Sequence, residues 1–151
     1  HEDLLFACLH CLIRVMSSPT DGAEYKRVIG KTQGTLQHLS SLLLSCKNNV
    51  EVMWRGIHCI FLLSSEAANG DRLGDSGFCE IVTEFLVSIG KDEQNKSLSS
   101  TSSFSSTASN NNDEAIVNCL KAIKHLSDSN KNQNRLREIA IIYTSLKLNI
   151  Y

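Results

Sequence analysis

Two small constellations in this sequence have the residue types for chemistry. Cys8-x-x-Cys11 sets two thiols one helical turn apart, and His10-Cys11 and His58-Cys59 repeat a His-Cys dipeptide. Thiolate and imidazole are zinc ligands. A structural zinc site, however, usually closes on two well-spaced ligand pairs, and no second C-x-x-C follows. His1, His10, His38, His58 and His125, with 16 Asp+Glu, are raw material for acid–base catalysis, but no spacing singles one of them out. The sequence has no G-x-S-x-G, Walker loop, H-E-x-x-H or G-x-G-x-x-G. The expectation is therefore no catalytic residue, no metal site, no cofactor and no enzyme.

The composition narrows the remaining classes. The 151 residues are 42% hydrophobic and contain a single Pro, which argues against a loop-rich β architecture. Fifteen Lys+Arg against 16 Asp+Glu give a formal net charge of −1, so there is no bulk basic attractor for nucleic acid or an anionic membrane. No apolar run reaches the roughly 20 residues of a membrane span. Neither membrane nor nucleic acid is an expected partner. Six cysteines allow three disulfides, but Cys8, Cys11, Cys59, Cys79 and Cys119 lie in apolar helical patterns, where a free thiol acts as a small buried hydrophobe. That favours a reduced, intracellular setting. The cytoplasm is the first expectation, with the nucleus or a cytoskeletal assembly as alternatives.

The elements that carry these residues repeat. Cys8–Val15, Gly56–Leu63 and Cys119–Leu126 align with small residues in the first and fourth columns and aliphatic residues in the second, fifth and last. This is one helical face, apolar at i, i+3, i+4 and i+7. The first two copies are offset by 48 residues (His10 to His58) and the next two by 63 (His58 to Lys121). Asp71-Arg72-Leu73 recurs as Asn134-Arg135-Leu136 at the same 63. Gly34 and Gly77 each lead an amphipathic segment, 43 residues apart; in the third copy Ala140 stands in that place. The excess in the longer offset is the Ser/Asn-rich tract 92–112, which cannot bury enough apolar area to order itself. Without its 21 residues the period is about 42, within the roughly 40–47 of HEAT and armadillo arrays. The array spans 1–151, with repeat helices at about 3–45, 48–90 and 113–150 and a flexible, disordered insertion at 92–112. Asn48 or Asn49, and Asn112 or Asp113, are the expected N-caps of the second and third long helices.

A long helix, an N-x-x-R-L turn, a Gly and an amphipathic helix, clearest from Asn49 through Val82, together resemble the armadillo repeat. The resemblance covers about two and a half to three units. It implies an all-α, right-handed superhelix whose long helices line a concave groove. It also implies a non-catalytic protein–protein interaction scaffold. In the groove columns where peptide-binding armadillo proteins carry Trp, this chain has His10, His58 and Lys121. In the Asn columns it has Arg14, Leu62 and His125, and Arg55 lies three residues before His58. The asparagine ladder is absent, which argues against recognition of basic peptides. His10, Arg14, Arg55, His58, Lys121 and His125 instead suit an extended protein or peptide partner that is acidic or phosphorylated. The expectation places basic groups on the groove and acids elsewhere, with binding strengthened as the histidines charge below about pH 6.5.

Two other roles fit the same pattern. One is a structural spine with no groove ligand, because both ends fall inside repeat units and suggest part of a longer solenoid. The other is a metal- or nucleic-acid-binding helical domain built on the His/Cys pairs or the basic ladder. Trp54 fits better as packing between units than as an interface anchor.

Overall fold

The computed structural model describes residues 2–98 and 106–148, with side chains over 3–91 and 112–145. Among the described residues the chain is all-α, with no strand. The helices are α1 (Glu2–Met16), α2 (Gly22–Lys31), α3 (Thr35–Ser45), α4 (Val50–Ser64), α5 (Gly70–Asp75), α6 (Phe78–Leu98), α7 (Ser106–Leu126) and α8 (Asn130–Leu148). A 3-10 turn, Ala67–Asn69, leads into α5.

Local chemistry sets the boundaries. The Asn49 side chain accepts a hydrogen bond from the Val52 N–H (3.1 Å) and caps α4, as its sequence position suggests. Gly34 and Gly77 hold φ at +80° and +83°, immediately before α3 and α6. A side chain is strained in that left-handed region, so the repeated Gly is what turns the chain between helices. Ala140 cannot take that turn cheaply. Within the expected helical stretch 113–150 no such turn forms at Ala140, and the chain runs on as the single helix α8.

The long helices α1, α4 and α7 lie side by side, with α4 in the middle, and α3, α6 and α8 pack in the same order beside them. One continuous core joins the units, from Leu9 and Met16 through Leu43, Ile57, Ile60 and Phe78 to Cys119 and Leu126. The interhelical gap is narrow where side chains are small. Leu43 of α3 fills the space that a Cβ on Gly56 would occupy, and the Cys59 thiol lies 3.7 Å from the Leu9 carbonyl of α1.

A buried asparagine ties each unit to the one before it. The Asn69 Nδ2 donates to the carbonyls of Lys26 (2.9 Å) and Leu63 (3.1 Å). The Asn132 Nδ2 donates to the Gly70 carbonyl (2.8 Å). Both residues are fully buried. A Cβ on Gly30 would overlap the Asn69 amide, and one on Gly74 would overlap the Asn132 amide and the Arg135 guanidinium. The same junction carries an outer clasp. Asp75 accepts from Lys131 (2.8 Å) and Arg135 (2.6 Å), and these hydrogen bonds hold its carboxyl below the usual range.

Three expectations change. Cys8 and Cys11 are exposed rather than core: among the described residues no helix covers the outer side of α1. Cys59, Cys79 and Cys119 are buried, and desolvation of the thiolate pushes their thiols up to about 12, 11 and 12. Helices also enter the Ser/Asn-rich tract from both sides, α6 to Leu98 and α7 from Ser106. Asn112 and Asp113 therefore lie inside α7 and do not cap it. The remainder of the expected flexible insertion, 99–105, lies outside the described residues.

Two tests follow from these contacts. Replacing a helical Gly by Ala ordinarily gains about 1 kcal/mol. Gly90→Ala, with open space around its Cβ, should gain about that in urea unfolding, whereas Gly74→Ala should lose roughly 1–3 kcal/mol by overpacking Asn132. A gain at Gly74 would refute the close fit. In the folded chain, maleimide should label Cys8 and Cys11 quickly and leave Cys59, Cys79 and Cys119 unreacted until denaturant is added.

Candidate functional site

The side-by-side long helices leave a cleft of ≈ 330 Å³ along one edge. α1 contributes His10 and Ile13, α4 contributes Glu51, Trp54, Arg55 and His58, and α7 contributes Glu114, Ala115 and Asn118. The lining recurs at one spacing on each helix. His10 and His58 share a column, as do Glu51 and Glu114.

Arg55 organises the α1–α4 wall. Its guanidinium lies 3.8 Å from the centre of the Phe6 ring, its Nη1 is 3.5 Å from His10 Nδ1, and its Nη2 is 3.9 Å from Glu51 Oε1. The ring face stabilises the cation while the side chain stays partly covered. Two buried donors of the walls, Trp54 Nε1 and Arg55 Nε, have no acceptor among the described residues. Such orphans cost free energy unless an acceptor reaches them.

His58 lies at the α4–α7 side. Burial, the largest influence, holds its pKa below 6.5; Glu114 opposes this, and the cations of Arg55 and Lys121 add to it. His58 thus gains its charge only in more acidic solution, which corrects the expectation of strengthening below about pH 6.5 as far as this histidine is concerned. One turn further on, Phe61 of α4 is shared by α7. The Lys121 ammonium lies 5.2 Å from the ring centre, and the His125 ring centre is 6.0 Å away.

The six sequence-predicted residues fall into three groups. His10, Arg55 and His58 meet in the cleft; Lys121 and His125 flank Phe61; Arg14 is exposed in the last turn of α1, outside the cleft lining. Leu62, in the same column as Arg14 and His125, is core. The expected separation of charge does not hold, because Glu51 and Glu114 line the cleft with the basic groups. Both acids, with Trp54 and Asn118, stand outside the predicted set. The 63-residue offset from Glu51 to Glu114 was the available signal. Trp54 is partly buried, packed against the core, and also lines the cleft.

Among the described residues no three His, Cys, Asp or Glu side chains group as metal ligands. Among them, too, no helix is long and apolar enough to cross a membrane.

The depressed His58 pKa fixes the sign of a pH effect. Above the unfolded pKa of 6.5 the imidazole is neutral in both states, so stability is unaffected there. As the pH falls below about 6.5 the unfolded chain takes up the proton first, and stability drops until the lower folded pKa is passed. Urea midpoints should therefore fall between about pH 7.5 and about pH 5.5, and less steeply in His58→Gln. An NMR titration placing His58 above 6.5 would overturn this assignment.

No family model, curated protein or solved structure matches the chain.

Proposed function

We propose that the chain is a non-catalytic interaction scaffold of armadillo type, which holds an extended protein segment along the α1–α4–α7 edge. The observation that carries this is the ≈ 330 Å³ cleft, in which equivalent columns of adjacent long helices come together with Arg55 and Asn118 between them. An extended segment suits such a groove because its side chains recur at a regular spacing along it. The repeated columns His10/His58 and Glu51/Glu114 then read successive stretches of that segment, one unit at a time.

The charge of the lining narrows the partner. Glu51 and Glu114 disfavour a uniformly acidic or multiply phosphorylated chain. A segment with one acidic side chain near Arg55 and neutral or basic groups beside Glu114 fits better. A reduced, cytoplasmic setting remains part of the proposal, supported by Cys59, Cys79 and Cys119, which are buried as free thiols.

Pull-down followed by calorimetry on the captured partner tests the proposal. Arg55→Glu should weaken binding by roughly ten-fold or more, the scale of a lost charge-assisted contact of about 1.4 kcal/mol. Arg14→Glu, away from the cleft, should change it little. Equal effects of the two changes, or none from Arg55→Glu, would sink the cleft as the binding site.

A further inference from the structure

We infer that the segment held in the cleft carries basic side chains along one of its edges and acidic side chains along the other. This rests on the scaffold reading above and names the chemistry of its partner. Along the three long helices the charges come in one order. The acids are Glu2 and Asp3 in α1, Glu51 in α4, and Asp113 and Glu114 in α7. Every Lys and Arg of these helices follows them: Arg14 in α1, Arg55 in α4, and Lys121 and Lys124 in α7. Helix dipoles favour that order but do not impose it. In α8, Lys131 stands in the first turn and Glu138 near the middle.

Stacking turns this order into two lanes that cross the helices. Glu51 and Glu114 share one column, and His10, His58 and Lys121 share another. Both acids and both histidines line the cleft, and Lys121 acts on His58 from α7. Glu51 and His58, like Glu114 and Lys121, are seven residues apart in sequence, about 10 Å along a helix. The acids therefore border the cleft toward the starts of the long helices, and the imidazoles and Lys121 border it toward their ends. Between the lanes lie Arg55 and, in the same column of α7, the neutral Asn118, buried at 7%. Arg55 approaches Glu51 at 3.9 Å, yet 65% of the Glu51 side chain stays exposed, which leaves room for a second cation. Charge is thus separated across the width of the groove, not between the groove and the outside.

An extended segment matches two lanes by its own geometry. Successive side chains leave it on opposite sides, and every second residue returns to the same side after about 6.8 Å. Packed helices lie roughly 8–10 Å apart. A segment laid across α1, α4 and α7 therefore meets each helix two or three residues after the last, and long Lys and Glu side chains span the difference. Basic residues at alternate positions then face Glu51 and Glu114, while the acidic ones between them face Arg55 and Lys121. A uniformly acidic segment sets half its charges against the two glutamates, and a uniformly basic one sets half against Arg55 and Lys121.

Fluorescence anisotropy on the whole chain at low salt, where such contacts are least screened, tests the inference with four labelled twelve-residue peptides. One alternates Lys and Glu, one is six Lys followed by six Glu, one is all Lys and one all Glu. The alternating peptide should bind roughly three- to ten-fold tighter than the block peptide, which has the same composition and net charge, and tighter than either homopolymer. Glu51→Lys with Glu114→Lys, both at exposed sites and with the fold checked by circular dichroism, should move the preference to the all-Glu peptide. Equal affinity for the alternating and block peptides would overturn the inference. So would a homopolymer bound most tightly by the wild-type chain, or no binding of any of the four. If the captured partner then still loses affinity with Arg55→Glu, the cleft holds a segment of other chemistry and the scaffold reading survives. If it does not, both fall.

Discussion

The three long helices can lie side by side because one column of α4 and one of α7 are kept small. Gly56 admits the Leu43 side chain, Cys59 reaches the Leu9 carbonyl, and Cys119 and Ala122 have no exposed surface. Larger residues there would push α4 away from its neighbours and open the continuous core. Dispersion and apolar burial both fall off steeply with such gaps. The layer of α3, α6 and α8 follows from the same spacing, since each of these helices packs where a long helix lets it approach.

The cleft is a by-product of that stacking. Where three parallel rows of side chains run past one another, equivalent positions on adjacent helices become neighbours in space. Arg55 can then reach Phe6, His10 and Glu51 at once, and Phe61 can serve both Lys121 and His125. The site's character is set by rows, not by single residues. A row of alternating sign, with half-buried imidazole inside it, is close to neutral overall and patterned along its length.

Much of this was legible because it rests on local rules. The helical face repeats visibly, the Asn49 cap follows from its position, and Gly34 and Gly77 mark turns that need a positive φ. What was hidden depends on neighbours. Nothing in Cys8 or Cys11 says that no helix covers them, so their apolar pattern suggests burial. Ala140 is visible as a departure from Gly, yet its effect, fusion into α8, appears only when the turn is built. Glu51 and Glu114 look like solvated acids until stacking brings their column beside His10 and His58. Asn69 and Asn132 sit in what reads as a polar turn, and their burial depends on the glycines of the preceding unit.

Those two asparagines also bear on how the chain unfolds. Asn69 holds carbonyls on both sides of a unit boundary, 43 and 6 residues away in sequence, with no side chain on Gly30 to loosen the fit. Melting of α2 would break the Lys26 bond and leave the buried Asn69 amide with the Leu63 carbonyl alone. The stretch between α4 and α5, tied by Asn69 to α2 and by the Gly70 carbonyl to Asn132 of α8, should therefore be the slowest part of the described chain to exchange its amide protons.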